Sequence, residues 1–345
     1  MSRCLTFVGW YGRQNAGDEA FKIVHEQLFP GVPKRWIADP QEAGNSDENL
    51  YILGGGDVFL KYYLDMIPPQ AKFFAYGIGL GSPQQYASVL EEKDRLLGIW
   101  LRNPGDVEAL RAQGVNAHYT PDIALLLGDA VRARPQHPII GRTSRKRLVF
   151  CPSGNADQTA LQRGDLADHF YYNYLKFALA RALDELAKYY DIIMLPLSHD
   201  YKDMDLGFAG QVHGLMRRDG NVFPVTEELP PLDVARLIGD CQLCLSMKFH
   251  GLIFAALMAV PFVNIGLTRK TAMLCVDLEQ PELSIPPYSF TQASLLEAVK
   301  IAEMPERRMK LERAVESQIA KAQEEAEAFQ NEVLAALAGP PSGGS

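Results

Sequence analysis

The sequence predicts an α/β protein made of two doubly wound, Rossmann-like domains and closed by one long helix. Three observations carry that prediction. The 345 residues amount to about two domains at roughly 150 residues each. Short apolar runs alternate with amphipathic stretches along most of the chain, the pattern of strand and crossover helix in a parallel sheet. The alternation lapses once, between residues 132 and 147, where arginine, proline and glycine replace the periodic apolar positions.

In the first domain, residues 1–131, strands are expected at residues 5–8, 34–37, 50–53, 73–76 and 98–101, with helices near 18–28, 83–96 and 106–113. The lapse at 132–147 reads as a linker whose positive charges face either an acidic partner or solvent. In the second domain, residues 148–304, apolar strands resume at 148–151, 192–195 and 241–245. Helices are expected around 171–189, 206–218, 231–238 and 252–258. Beyond Pro305, Leu311, Val315, Ile319, Ala322, Ala326, Phe329, Val333 and Leu337 recur at helical spacing among Glu, Lys and Gln. Residues 305–338 should therefore form one amphipathic helix, lying across the domains or carrying a dimer contact. Residues 339–345, Gly-Pro-Pro-Ser-Gly-Gly-Ser, read as a flexible tail. The oligomeric state stays open.

Composition excludes several classes of function. With 47% apolar and 22% charged residues the chain can build real cores. Its 34 basic against 42 acidic residues give a net charge of −8, so no global basic field exists to hold nucleic acid or an anionic membrane. Any anion must meet a local site. Five cysteines, an odd and sparse set within apolar runs, argue against a secreted disulfide framework and for a reducing, cytoplasmic setting. The Cys241–Cys244 pair has no second Cys/His pair at zinc spacing and reads as a buried strand. No metal ligand cluster stands out. The longest apolar run, residues 252–263, is far short of a membrane span and contains Pro261; peripheral association stays open.

Candidate chemistry gathers at the ends of expected strands, where ligands bind in open α/β sheets. Three glycine-rich turns lie there: Gly9 to Asp18, with Asn15 inside it; Gly54-Gly55-Gly56; and Gly77 to Gly81 with Gly79 between. None is a Walker A loop or a G-x-G-x-x-G fingerprint, which disfavours a nucleoside triphosphatase or an ordinary NAD enzyme. Each alone could be a tight turn; together they suggest a site. Arg102 ends the fifth strand, where its guanidinium could hold a carboxylate or phosphate, or pair with a neighbouring acid. His199-Asp200 follows another strand, as an acceptor pocket or as a capping turn. The sharpest group is Ser246-Met-Lys248-Phe-His250-Gly251, between a strand and a helix. There the helix dipole disfavours a charged imidazole, so a protonated general acid needs an anionic ligand beside it.

These residues resemble the polysaccharide pyruvyl transferase family. The resemblance runs from the Tyr11-to-Glu19 opening, including Asn15, Gly17 and Asp18, through Gly54 to Gly56, Gly77 to Gly81, Arg102, Thr120-Pro121-Asp122 and His199-Asp200, to Ser246 to Gly251 and Lys270. It implies a GT-B-like fold, two domains facing a cleft, and transfer of pyruvate from phosphoenolpyruvate to two sugar hydroxyls as a cyclic ketal. On that resemblance His250 is the general acid. Arg102, Lys248 and amides near Gly251 hold the donor, while Asn15, Asp18, His199, Asp200 and Lys270 bind or support the acceptor. Phosphoenolpyruvate is the co-substrate and no other cofactor is implied; the acceptor is a glycan or a lipid-linked sugar. Three positions depart from the family pattern. Lys248 stands where Arg is usual, a point charge replacing a planar fork. Asn103 replaces an acid, and Leu267 a tyrosine. The alternatives are a GT-B glycosyltransferase using a nucleotide sugar, with Glu279 or Glu282 near a ribose, and a non-catalytic glycan- or anion-binding relative.

Overall fold

The computed structural model describes residues 4–43, 49–217, 220–266 and 268–338. Leu267 and the expected tail at 339–345 lie outside them. Two wholly parallel six-stranded sheets form, because successive strands are joined by crossover connections, most of them helical. The first contains β1 (Leu5–Val8), β2 (Lys34–Ile37), β3 (Leu50–Gly56), β4 (Phe73–Ile78), β5 (Leu96–Leu101) and β6 (Ala117–Tyr119), in the order β2-β1-β3-β4-β5-β6. The second contains β7 (Lys146–Cys151), β8 (Tyr190–Met194), β9 (Val222–Pro224), β10 (Leu243–Ser246), β11 (Phe262–Ile265) and β12 (Ser284–Ile285), in the order β12-β11-β10-β7-β8-β9. The two doubly wound units are thus present, and the helix Pro305–Ala338 has the expected bounds.

The chain divides into two compact units. One comprises the chain through Gly12, residues 18–126 and the chain from Gln318 onward; the other comprises residues 13–17 and 127–317. This differs from the sequence boundaries in three respects. Residues 13–17 join the second unit, the crossing falls at 126/127, and the terminal helix is shared between the units at 317/318. Residues 132–147 also fold more than a linker would. They hold the 3-10 turn Pro138–Arg142 and the start of β7. Arg134 grips Asp233 through two bonds of 2.6 and 2.9 Å, and the Ser144 and Arg145 amides donate to Asp191.

Four short strands escape the periodic pattern. β6, β9 and β12 have two or three residues each, too few to show an alternation. β11 is concealed by the apolar stretch that continues from the helix Phe249–Leu257.

In the first unit the terminal helix supplies core as well as surface. Phe329, fully buried, stacks on Tyr76 with centroids 4.0 Å apart and meets Trp100 edge-on at 5.0 Å. Trp100 Nε1 donates to Glu325 on the same helix at 3.0 Å. Phe329→Ala should therefore lower unfolding free energy by about 3–5 kcal/mol, the usual range for truncating a buried aromatic, as read from a urea midpoint. A change within about 0.5 kcal/mol, typical of surface positions, would show that the helix is not part of this core.

Candidate active site

In the second sheet the strand order reverses between β7 and β10. A crevice opens at the carboxyl ends of two such strands because their following helices leave toward opposite faces. The turn after β10 is built by Ser246, whose hydroxyl accepts from the Lys248 amide at 3.1 Å and donates to the Lys248 carbonyl at 2.8 Å. Lys248 is the extended N-cap of the helix Phe249–Leu257, and His250 sits in the first helical turn. Gly251 is buried, and a Cβ there would run into the Ser246 hydroxyl. Lys270 lies alongside, its Nζ 5.8 Å from the Phe249 ring centroid.

Residues 13–17 lie against this turn. The Ala16 amide donates to Leu197 O at 2.8 Å, the His199 amide donates to Gln14 O at 2.9 Å, and Asn15 bridges Ser198. Asn15 Oδ1 accepts from the Gly17 amide at 3.0 Å. A Cβ built on Gly17 would land on the His250 imidazole. The glycine is therefore required by close approach, and its backbone is one wall of the histidine's seat.

Lys248 is largely buried, and two carboxylates hold it. Its Nζ lies 3.0 Å from Asp205 Oδ2 and 3.2 Å from Asp203 Oδ2. Asp203 also accepts from Asn15 Nδ2 at 3.3 Å and Asn155 Nδ2 at 3.4 Å. Asp205 accepts from the Gly154 and Ser198 amides at 3.3 and 3.2 Å. Burial opposes the charge of Lys248, but the two aspartates outweigh it and lift its pKa above the usual lysine value. Burial likewise opposes ionisation of Asp203, and Lys248 with the hydrogen bonds to Asp203 overcomes it, leaving that pKa low. Asp205 goes the other way. Burial, reinforced by the charge of Asp203, pushes it up to about 6 despite Lys248.

The remaining expected residues fall into place as follows. Asp200 Oδ1 accepts from the Lys202 amide at 2.8 Å, so its carboxylate closes a turn. In the first unit, Arg102 follows β5 and is clamped by Asp57 at 2.8 Å and Asp122 at 2.9 Å. Gly79 is glycine because the Arg102–Asp57 pair passes over it. Gly54, Gly55 and Gly56 end β3 rather than form a turn, and all three are buried. Positions 54 and 55 are covered by Tyr11, His25 and Phe21; Asp18 lies over Gly56, and Ile123 over Gly77. Glu279 and Glu282, the ribose candidates, pair with Lys310 and Arg307. Among the described residues no metal-binding group of His, Cys, Asp or Glu forms.

Sequence reasoning missed Asp203 and Asp205 as partners of Lys248, Asp57 and Asp122 as partners of Arg102, and the contact of Gly17 with His250. The crowding of Asp200, Asp203 and Asp205 after an apolar strand was the available signal, since so many acids at a strand end call for a cation.

A sequence model of the polysaccharide pyruvyl transferase family matches residues 15–268, a span that includes both the Asn15–Gly17 segment and the His250 turn. The chain belongs to the polysaccharide pyruvyl transferase family. No curated protein sequence matches it. Similar solved structures include a UDP-GlcNAc 2-epimerase from Neisseria meningitidis, 11% identical, covering 96% of this chain and 99% of its own, with a TM-score of 0.59. A putative UDP-N-acetylglucosamine 2-epimerase from Listeria monocytogenes is 12% identical over 90% and 91%, TM-score 0.61. The N-terminal domain of a trehalose-6-phosphate phosphatase from Candida albicans is 10% identical over 97% of both, TM-score 0.53. At these identities the likeness shows the fold, which is GT-B-like. No helix among the described residues of this pyruvyl transferase family member is long and apolar enough to cross a membrane.

The Lys248 group carries a pH signature. Because the folded pKa of Asp205 is about 6, above the ordinary carboxylate value near 3.9, the folded state holds that proton more tightly than the unfolded chain. The contribution is fully present below about pH 4 and is lost as pH rises through about 6, by on the order of 2–3 kcal/mol. Asp203, with its lowered pKa, acts only at more acid pH. Urea unfolding of Asp205→Asn should accordingly show a flatter stability profile between pH 4 and 7 than the wild type. Parallel profiles would place the titration elsewhere.

Proposed function

We propose that this chain transfers the pyruvyl group of phosphoenolpyruvate to two hydroxyls of a sugar, forming a cyclic ketal and releasing inorganic phosphate. The observation that carries the reading is the Ser246-to-Gly251 turn, which places an imidazole and a lysine two residues apart at the reversal point of a parallel sheet in a chain of this family. The donor carries a phosphate and a carboxylate, and it is an enol ester whose methylene carbon accepts a proton.

In the proposed reaction the His250 imidazolium gives its proton to the methylene carbon, leaving positive charge shared between C2 and its ester oxygen. A sugar hydroxyl attacks C2 and loses its proton. The C2–O bond to phosphorus then breaks, the bonding pair leaving with phosphate. The second hydroxyl adds to the same carbon, loses its proton in turn and closes the ketal. The imidazole that spent its proton is a suitable base for one of these two hydroxyl protons. Gly17 keeps the ring in place, and the donor's anionic groups supply the negative charge that favours imidazolium at a helix N-terminus.

Lys248 is the proposed donor ligand, and its carboxylates set the terms. With both aspartates ionised the group bears a net negative charge and repels a phosphate. Protonation of Asp205, whose pKa of about 6 is near neutrality, leaves Lys248 with one counter-charge and makes room for a second. Donor binding would thus be accompanied by proton uptake. Arg102 is also proposed as a donor ligand, sharing its guanidinium with Asp57. The acceptor is a glycan or lipid-linked sugar, with Asn15, Asp18, His199, Asp200 and Lys270 as supporting groups and the setting cytoplasmic.

Phosphate release from phosphoenolpyruvate with a panel of glycan acceptors tests the reading. Wild type should release phosphate only with a suitable acceptor and add a pyruvyl group to it. His250→Ala should reduce the rate by about 10²–10⁴-fold, the usual worth of a general acid, and Gly17→Ala should fall well below wild type because the new methyl displaces the imidazole. Wild-type rates in His250→Ala would remove the general-acid role. Release of a nucleoside diphosphate from a sugar nucleotide instead would replace the reading with glycosyl transfer.

A further inference from the structure

A cavity of about 490 Å³ in the second unit lies between the helices Asn155–Arg163, Leu166–Leu186 and Asp205–Leu215. One wall is a closed ring of hydrogen bonds. Lys176 Nζ pairs with Asp157 Oδ2 at 2.5 Å, and His169 Nδ1 donates to Asp157 Oδ1 at 3.1 Å. Asn173 Nδ2 donates to His169 Nε2 at 3.0 Å, and Lys176 donates to Asn173 Oδ1 at 3.4 Å. Lys176 and Asp157 offset each other's charge. The wall therefore offers both donors and acceptors, which suits hydroxyl groups better than an anion.

The facing wall combines the side chains of Phe208, Gln211 and Leu215 with two helical glycines. Gly210 and Gly214 lie on the helix Asp205–Leu215, and a Cβ on either would meet nothing within 4 Å. Packing does not require glycine there, and glycine inside a helix is less stable than alanine. Their effect is to let a ligand approach the helix backbone.

The cavity also adjoins the proposed reaction centre. Its lining includes Gly154 and Met204. The Gly154 amide bonds to Asp205, and Met204 separates the two aspartates that hold Lys248. Met204 takes a left-handed φ of 53°, a conformation that non-glycine residues adopt at a cost and that is concentrated at functional sites.

The geometry points to this cavity as a docking subsite for an uncharged sugar of the acceptor glycan, next to the sugar that receives the pyruvyl group. The inference rests on the proposed function for the identity of the acceptor, yet it can be tested by binding alone. Methyl β-lactoside and methyl β-cellobioside, titrated without donor and followed by saturation-transfer NMR, should bind wild type, while inorganic pyrophosphate should not compete. Gly210→Leu, which fills the cavity with a good helix former and leaves the polar ring intact, should weaken disaccharide binding about tenfold or more, the scale on which pocket shape discriminates. Gly210→Ala serves as the folding control and should melt no lower than wild type. In the transfer assay, Gly210→Leu should raise KM for a disaccharide acceptor by more than KM for a monosaccharide. Folded Gly210→Leu binding disaccharide as wild type does, or displacement of the sugar by pyrophosphate, overturns the subsite. Disaccharide binding that Gly210→Leu abolishes, in a protein inert toward phosphoenolpyruvate, would sustain the subsite and overturn only the pyruvyl reaction.

Discussion

Lys248 is a largely buried cation at the carboxyl edge of the second sheet, and its neighbours follow from that burial. Removing a charge from water costs several kcal/mol unless it is paired and hydrogen-bonded, so Asp203 and Asp205 close around it. The two acids, Asp205 buried and Asp203 partly so, in turn need donors. Asp205 takes them from the Gly154 and Ser198 amides, which ties together the loops after β7 and β8. Asp203 takes them from Asn155 and Asn15. Asn15 then fixes the Gly17 amide, and Gly17 lies under His250. Charge pairing at one lysine thus becomes positional control of an imidazole.

The same group accounts for a lysine where the family resemblance leads one to expect arginine. A guanidinium could grip a donor through two parallel bonds, whereas an ammonium is a compact charge whose availability depends on its counter-ions. With the pKa of the Asp205 carboxyl raised to about 6 by burial, proton uptake would, in the proposed reaction, tune that availability. The GT-B-like fold does not decide the chemistry, since epimerases acting on UDP-GlcNAc share it with this chain. The reading rests on the turn after β10 and on the family match that spans it.

Much of the fold was legible because it rests on local periodicity. Expected strands such as the apolar run Leu5–Val8 and the segment Lys34–Ile37 kept their bounds, and the helical spacing through Phe329 gave the terminal helix. β11 was hidden because an apolar helix and an apolar strand merge around Pro261. The Lys248 turn was visible as a word in the sequence, but its partners were not. Asp203 is 45 positions from Lys248, and no period links residues joined only by folding. The glycines were legible as special and misleading as to purpose. Gly54 and Gly55 make room for this chain's own side chains, and Gly17, one small residue in a polar run, proved to be the one against the histidine.

Proton transfer from His250 to the donor's methylene carbon is tested most directly by running the reaction in deuterium oxide and examining the ketal by NMR. Pyruvyl transfer through His250 should give a ketal methyl carrying one solvent deuterium, formed with wild type and absent with His250→Ala. A wild-type protein that leaves phosphoenolpyruvate intact with every acceptor while consuming a sugar nucleotide would contradict it.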